Sequence, residues 1–210
     1  MSGIQGRVGA TGAVVGAVVL AVVLPVAAAC SSGKSGATAT GTVATSAASG
    51  TPLPRASVSG NRFLDPMGYE VDFPQAWSPY DNKVVAGPLI TDIFFAPDTR
   101  DGVTPSIAVS CDTLPDHSVS VADFEREHHA TLDGLHAIDY RAEFGRKVDG
   151  HDAARITYSL ERVPAKLRKS EYMYVSGTCA WIAALTVPAS DPPASDDILE
   201  RFIASMKITK

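Results

Sequence analysis

The alternation of apolar and polar residues in the second part of the chain predicts a run of short strands. Residues Tyr69 to Phe73 alternate with period two and stop at Pro74, which is typical of a half-buried strand. Residues 90–95 and 106–111 also have the composition of strands. Because a turn-rich segment separates these two runs, they predict a hairpin or a meander.

A helix is predicted after these strands. Ser120 stands at an N-cap position, with Asp123 near the capping-box position. Gly134 helps to end this helix. Five residues behind Ser120 fall on one side of it, namely Val121, Phe124, His128, Leu132 and Leu135. The helix therefore has one face that should lie on a sheet.

Four more strands and a second helix are predicted in the rest of the chain. The strands cover 137–148, 155–162, 171–176 and 179–187. Residues 181–185 are apolar enough for a central strand that is covered on both faces. The second helix covers 193–205 and begins behind Ser195 as its N-cap.

The order of these elements predicts the fold class. Strands that follow one another through short turns must be largely antiparallel, whereas a doubly wound sheet needs a helix between successive strands. We therefore predict an α+β fold with a largely antiparallel central sheet, built as a single domain over residues 61–210.

The first 29 residues predict an export signal. Residues 8–29 carry no charge and are dominated by Val, Leu and Ala. Such a run is also long enough to span a bilayer. An anchor of that kind would be expected to end in Lys or Arg, whereas residues 31–33 are Ser, Ser and Gly. We predict a cleaved signal peptide over 1–29, with an uncleaved anchor or ordinary secretion as the alternatives.

The residues around the end of this signal resemble a bacterial lipobox. Three alanines at 27–29 precede Cys30, although such boxes most often carry Leu where Ala27 stands. The resemblance implies cleavage immediately before Cys30 and lipid on its thiol. It also implies that the chain is anchored in the cell membrane through the lipid on Cys30 and exposed on the extracytoplasmic face.

Residues 30–60 predict a disordered tether. They consist almost wholly of Ser, Gly, Ala, Thr and Pro, with Lys34 and Arg55 as the only charges, so they cannot build a core. As a random coil, about 30 such residues reach on the order of 30 Å, and roughly 100 Å when fully extended. The threonines make O-glycosylation plausible on composition alone.

Charge and cysteine content restrict the partners and the compartment. The formal net charge is −5 and no basic block occurs, so nucleic acid is not a predicted partner. Of the three cysteines, Cys30 is assigned to lipid. Cys111 and Cys179 then remain in a compartment where disulfides persist, and we predict a bridge between them. Two buried free thiols are the alternative.

No enzymatic motif appears in the sequence, and no cofactor is predicted. The residues that come nearest to a metal site are Glu125, His129, Asp133 and His136, whose spacing places them on one face of the first helix. Because that face is the polar one, we interpret it as a solvated surface and predict no metal. Its neighbour His128 lies on the apolar side and is interpreted as a hydrogen-bonded core histidine.

Trp77 and Tyr80 are candidate ligand-binding residues. They follow the first predicted strand in a Pro-rich loop that could form the rim of a pocket. The alternative is that they belong to the core or to cross-strand pairs, which is the usual role of aromatic residues near strands.

Three segments resemble PsbP-like domains. These are residues 68–74 together with Trp77, the glycine turn and strand at 150–156, and the closing helix at 199–206. With the lipobox ahead of them, the chain resembles mycobacterial lipoproteins of the LpqN/LpqT type. The resemblance implies an αβα sandwich around an antiparallel sheet. It transfers no catalytic residues, because PsbP-like domains generally act as accessory or binding proteins in membrane-associated assemblies.

The functional prediction is therefore a non-enzymatic lipoprotein of the cell envelope that binds an apolar envelope lipid or a membrane-protein partner. One alternative is a hydrolase of envelope material whose site is assembled from residues distant in sequence. Another is a surface protein with a structural or adhesive role. A pocket with convergent titratable groups would favour the hydrolase, and an apolar groove would favour the binding protein.

Overall fold

A computed structural model describes residues 56–66, 68–80, 84–86, 89–114, 119–161 and 165–209. The predicted signal peptide, Cys30 and the tether up to residue 55 lie outside the described residues. Within the described part of the chain, no helix combines the length and the apolar character needed to cross a membrane.

Twelve strands in the described residues form two sheets. The strands are β1 (Ser57–Ser59), β2 (Arg62–Asp65), β3 (Tyr69–Asp72), β4 (Ser78–Pro79), β5 (Val84–Ala86), β6 (Leu89–Phe95), β7 (Ser106–Thr113), β8 (Ile138–Val148), β9 (His151–Glu161), β10 (Lys166–Ser176), β11 (Cys179–Pro188) and β12 (Lys207–Ile208). The main sheet has the order β4-β6-β7-β11-β10-β9-β8, with β5 paired to β6. The small sheet has the order β1-β2-β3-β12. All described strand pairs are antiparallel, as predicted.

The first helix, α1 (Val121–Gly134), begins as the sequence predicts. The Ser120 side chain accepts a hydrogen bond from the backbone of Asp123, and the Asp123 side chain accepts one from the backbone of Ser120. This capping box satisfies backbone donors that the first turn of a helix leaves without partners. The buried residues of α1 are Phe124, His128 and Leu132, which lie on one face.

The second helix, α2 (Asp196–Ser205), has Ser195 at its N-cap position as predicted, but the expected side-chain capping bond is not formed. Ser195 ends a short 3₁₀ turn and has helical backbone angles, and its side chain caps no backbone group of the helix. Its hydroxyl donates instead to Asp191 at 3.4 Å. The first turn of α2 is held by side chains from the sheet, since Arg155 and Arg168 both pair with Asp196.

The two helices cover opposite faces of the main sheet. Met173 of β10 packs in a cluster with Phe124 of α1, whereas its neighbours Tyr172 and Tyr174 belong to the cluster that contains Phe202 of α2. Successive residues of a strand point to opposite faces, so α1 and α2 lie on different sides. The small sheet packs on the α2 side. This arrangement confirms the predicted α+β class with a largely antiparallel sheet between helices.

The predicted disulfide between Cys111 and Cys179 is present, with a Cα–Cα distance of 5.5 Å. It joins β7 to β11, which are neighbours in the main sheet. Both cysteines belong to or pack against the aromatic core on the α2 side. The bridge therefore ties together two central strands beneath α2.

The folded part begins earlier than residue 61. Residues 57–59 form β1, because Ser57 and Ser59 pair with Leu64 and Arg62 of β2. The sequence does not predict this strand. All three of its residues are exposed, so they produce no alternation of apolar and polar positions, and the strand is stabilised by backbone pairing. The two-residue strands β4 and β12 are also too short to produce a hydrophobic period.

Candidate functional site

The described residues contain a groove of about 600 Å³ on the α2 side of the molecule. It lies between the turn that follows β3 and one side of α2. Its lining residues come from three segments of the chain: Asn61, Asp72, Phe73, Pro74, Gln75, Trp77, Ile198, Arg201, Phe202 and Ser205. The volume lies within the range of about 300–1,000 Å³ that is typical of small-molecule sites.

The apolar part of the groove is continuous with the core. Phe73 and Phe202 are buried against Phe94 of the main sheet. The ring of Phe73 stacks on that of Phe94 and the ring of Phe202 packs edge-on against it, each with a centroid distance of 5.5 Å. Trp77 and Ile198 are half-buried and pack against the same cluster. A ligand in the groove would therefore contact rigid apolar side chains.

A tight turn positions Trp77. The backbone N–H of Trp77 donates to the carbonyl of Pro74 at 3.0 Å. Ala76, the third residue of this turn, has φ = +70°, a left-handed conformation that favours glycine. Such conformations cost about 1–2 kcal/mol and are found preferentially near binding sites.

The polar edges of the groove are held by hydrogen bonds between its segments. Asn61 accepts a backbone hydrogen bond from Phe73 at 2.9 Å and donates from its amide to the Phe73 carbonyl at 3.3 Å. The Ser205 hydroxyl accepts from the backbone N–H of Asp72 at 2.9 Å and donates to the Phe202 carbonyl at 2.8 Å. These contacts fasten the end of β3 to the last turn of α2.

Asp72 and Arg201, the two charged residues of the groove, differ in their partners. Asp72 accepts from Arg62 at 2.9 Å, and Arg62 also pairs with Glu70 at 2.7 Å, so two carboxylates of the small sheet share one guanidinium. Arg201 is exposed, and no ion pair or hydrogen bond joins its side chain to any described residue. Gln75 and the indole N–H of Trp77 likewise have no side-chain partner among the described residues.

The structure separates the two aromatic residues that the sequence placed at one pocket rim. Trp77 lines the groove, but Tyr80 does not. The ring of Tyr80 packs edge-on against Phe95, with centroids 6.1 Å apart, and it is 50% exposed. Phe94 faces α2, so its neighbour Phe95 and the ring of Tyr80 lie on the opposite face of the sheet.

The polar stripe of α1 is partly covered rather than fully solvated. Tyr140 of β8 donates to the carboxylate of Glu125, and the ring of His129 stacks on Tyr140 at 3.9 Å. The ring nitrogens of His129 lie 4.0 Å from Glu125 and 3.6 Å from Asp133. His136 lies beyond the end of α1. Among the described residues, no group of three or more His, Cys, Asp or Glu is placed to hold a metal.

A buried polar cluster lies beneath α1. His128 Nε2 is 2.8 Å from one carboxylate oxygen of Glu171, and the Tyr158 hydroxyl donates to the other at 2.6 Å. Burial alone would raise the pKa of Glu171, but the charge and hydrogen bond of His128, together with Lys169 at 3.8 Å, lower it to about 2. Burial and the charge of Glu171 raise the pKa of Tyr158. The carboxylate is therefore fixed in its ionised form.

A serine and a histidine lie side by side where β9 begins and β10 ends. The Ser176 hydroxyl and Nε2 of His151 are 3.2 Å apart, and both residues are half-buried. The nearby carboxylate of Asp149 is bound by Lys207 at 3.0 Å and by the backbone N–H of Ile208 at 2.8 Å. Neither Ser176 nor His151 lines the groove.

Comparison with known proteins does not assign a family. No family model and no curated protein matches the chain. Solved structures similar to it include a protein of Bacteroides thetaiotaomicron at 13% identity and TM-score 0.47, covering 76% of this chain and 50% of the other. This chain therefore spans about half the length of that protein.

Two other solved structures belong to the groups that the sequence motifs resemble. Cyanobacterial PsbP of Synechocystis is 16% identical, with a TM-score of 0.49 over 76% of this chain and 95% of that one. LpqN of Mycobacterium tuberculosis, involved in cell envelope biogenesis, is 13% identical, with a TM-score of 0.49 over 70% and 87%. Scores below 0.5 carry no argument about function, which therefore depends on the geometry of this chain.

The sequence alone does not indicate that most of these residues line a groove. Trp77 is conspicuous as one of two tryptophans. Ile198, Arg201 and Ser205 follow one another at helical spacing beside the apolar face of α2, but nothing local indicates that β3 would end next to them. The groove exists because residues more than a hundred positions apart are joined through Ser205 and Asp72.

Proposed function

We propose that the chain is a non-catalytic binding module of the cell envelope, and that it binds an apolar ligand in the groove between Trp77 and α2. The observation that supports this proposal is a groove of about 600 Å³ with an apolar floor of aromatic and aliphatic side chains and polar residues around it. Binding sites for small molecules commonly combine these features. The resemblance of the Cys30 region to a lipobox supplies the envelope location.

The two tryptophans of the chain allow a direct binding experiment. Trp77 lines the groove, whereas Trp181 is 4% exposed in the core. A neutral apolar dye such as Nile red should gain fluorescence with the wild-type domain and receive energy from Trp77. We expect Trp77→Ala to weaken dye binding by about tenfold or more, because truncation of an aromatic contact residue commonly costs over 1 kcal/mol.

Tyr80→Ala is the matched control for this experiment. Tyr80 is an exposed aromatic residue in the same segment of sequence, but it lies away from the groove. Its substitution should leave dye affinity within about twofold of wild type. Equal losses in the two variants would contradict binding in the groove.

Anchoring is a separate part of the proposal. We propose that Cys30 carries lipid, because small residues precede it and no positive cluster follows it. Cys30→Ala should abolish acylation and partition into detergent when the full chain is expressed in a lipoprotein-processing bacterium. If the variant kept both its N-terminal segment and its partition into detergent, residues 8–29 would be a membrane anchor.

Hydrolysis remains a second candidate function because one observation favours it. A serine hydroxyl within 3.2 Å of an imidazole nitrogen has the geometry of a nucleophile and its base. Purified domain should be assayed with short p-nitrophenyl esters beside the Ser176→Ala variant. We expect no turnover above that of the variant, and turnover that disappears with Ser176 would establish the hydrolase.

A further inference from the structure

We propose that the groove binds an amphiphile by its anionic group, with Arg201 as the residue that recognises the charge. This inference rests on the proposed binding function and adds the chemical class of the ligand. It starts from the guanidinium of Arg201, which lines the groove and contacts no described acceptor.

None of the acidic residues near Arg201 on α2 makes an ion pair with it among the described contacts, and two of them are engaged elsewhere. Glu200, its neighbour on α2, pairs with Arg155 at 3.2 Å and accepts from Tyr172 at 2.7 Å. Asp196 pairs with Arg155 and Arg168. Asp197 lies at i−4 on the same helix, a spacing that permits an ion pair, yet the described contacts include none with Arg201.

The groove therefore has one unpaired guanidinium on an acidic protein. Asp72 is bound by Arg62, which it shares with Glu70, so Arg201 is the charged residue without a bonded partner among the described lining residues. The chain as a whole has a formal net charge of −5. An anion is disfavoured over most of such a surface and favoured next to Arg201, which gives the groove electrostatic complementarity to an anionic ligand.

The remaining unpartnered polar groups of the groove fit the same ligand. The indole N–H of Trp77 and the amide of Gln75 can donate hydrogen bonds, and neither has a described side-chain partner. A guanidinium presents a planar fork of donors that matches a carboxylate or phosphate. The apolar portion of the ligand would lie against Phe73, Trp77 and Phe202. We therefore assign a single-chain amphiphile with a carboxylate or phosphate head group.

The test compares ligands that share a ten-carbon chain and differ only in head group. Decanol, decanoate and decyl phosphate are titrated below micelle formation, with Trp77 fluorescence and calorimetry as the measurements. Wild type should bind the two anionic ligands about tenfold more tightly than decanol, because a charge-assisted hydrogen bond is stronger than a neutral one. The preference should decrease at high salt, since the site is open to solvent.

Two variants assign this preference to Arg201. Arg201→Gln should bind all three ligands with the affinity that wild type has for decanol. Arg126→Gln removes the same charge from α1, where Arg126 pairs with Asp123 at 2.8 Å, and should keep the wild-type preference. Arg201 is exposed and bonded to no described residue, so we expect the Arg201→Gln variant to fold normally, which a circular dichroism melt would verify.

Other binding results would contradict either the charge recognition or the binding function itself. If wild type binds decanol and the anionic ligands equally, the groove binds apolar ligands but Arg201 does not select charge. If none of the three ligands binds, the proposed binding function itself is wrong. Inorganic phosphate serves as the last ligand: if it binds as tightly as decyl phosphate, the site recognises an anion without its apolar chain, and the amphiphile is excluded.

Discussion

The two faces of the main sheet differ in how open they are. Beneath α1, His128, Glu171 and Tyr158 are joined by buried hydrogen bonds next to apolar clusters. Beneath α2, Tyr69 donates to Asp92 at 2.9 Å within a core formed mainly by aromatic and aliphatic side chains, and a groove opens at its edge between Trp77 and the helix. The same sheet thus supports a closed layer on one side and a layer with an open groove on the other.

This difference follows from what each layer can tolerate. A buried ionised carboxylate must keep its partners, because an uncompensated charge in the interior costs several kcal/mol. The α1 side is therefore constrained to a single arrangement of donors and acceptors. Aromatic side chains lose only dispersion contacts when a space opens beside them, so a groove can form on the α2 side without breaking hydrogen bonds. The binding site is expected where the core is apolar.

The largest effect should come from removing the carboxylate beneath α1. Glu171→Ala leaves the charge of His128 and the hydroxyl of Tyr158 without their buried acceptor. Breaking such a pair costs about 3–5 kcal/mol. Urea unfolding should show this loss. A cost below about 1 kcal/mol would mean that the cluster is not a constraint on the fold.

A compensated variant sharpens this prediction. Replacing the cluster by His128→Leu, Glu171→Leu and Tyr158→Phe, with Lys169→Met because Lys169 also pairs with Glu171 at 3.8 Å, removes the polar groups together. Because apolar replacements of buried ion pairs are often neutral or stabilising, more than half of the loss should be recovered. Binding to the groove, measured at low denaturant, should not change in this variant, since the cluster lies on the other face.

The second effect concerns the α2 side, where the disulfide joins β7 to β11. The bridge closes a separation of 68 residues. The chain-entropy model gives about 4 kcal/mol for such a loop as an upper value, and measured effects are typically about 2–4 kcal/mol. Replacing Cys111 and Cys179 together by Ser should lower the denaturant midpoint accordingly. Free thiols at both positions in protein exported under oxidising conditions would contradict the bridge.

Acid should weaken the α1 side over a defined range of pH. The pKa of Glu171 is lowered from 4.5 to about 2 in the folded protein. A carboxyl whose pKa is lower in the folded state stabilises it fully above the unfolded value and loses this contribution as the pH falls through the folded value. Stability should therefore fall from about pH 4.5 towards pH 2, and only part of the contribution is lost at pH 3.

Glu171→Gln isolates this pH dependence from that of the other carboxyls. Asp123, Glu143, Asp149 and Asp152 also have lowered pKa values, because they accept hydrogen bonds from neighbouring groups. Their contributions remain in the variant. The difference in unfolding free energy between wild type and Glu171→Gln should shrink between pH 5 and pH 3, and a constant difference would show that the pKa of Glu171 is the same in the folded and unfolded states.

The sequence predicted the long elements because each has a clear hydrophobic period or cap. The alternation in β3 and β9 and the capping box of α1 are local signals, and the structure confirms them. Strand β1 was assigned to the tether, because three residues that are exposed and held only by backbone pairing produce no pattern. Ser195 stands at the predicted N-cap position, but its side chain donates to Asp191 instead of capping the helix, and no local pattern indicates this contact.

The site was less predictable than the fold. Composition singled out Trp77 and Tyr80 together, but alternation along β6 places Phe95, and with it Tyr80, on the other face. The partner of His128 lies 43 residues away, so a core histidine could be predicted while Glu171 could not. No sequence pattern near Arg201 predicts a binding role, because the groove beside it forms only when the turn places Trp77 next to α2.

The smallest effect tests that turn, which forms one wall of the groove. Ala76 has φ = +70°, a conformation that glycine adopts without strain. Ala76→Gly should relieve roughly 1–2 kcal/mol of strain, while the greater freedom of the unfolded chain costs about 0.4–1 kcal/mol. The variant should therefore be more stable than wild type by about 0–1.6 kcal/mol in urea unfolding.

The matched control for Ala76→Gly is the same substitution where the backbone is helical. Ala130 is exposed in the interior of α1, so Ala130→Gly should destabilise the protein by about 0.5–1 kcal/mol. Opposite signs in the two variants would show that the turn stores strain which holds Trp77 in place. If both variants lost the same stability, the turn would be unstrained. The groove would then owe its shape to the contacts of Ser205 and Asn61 alone, and double substitution at those two positions should abolish ligand binding.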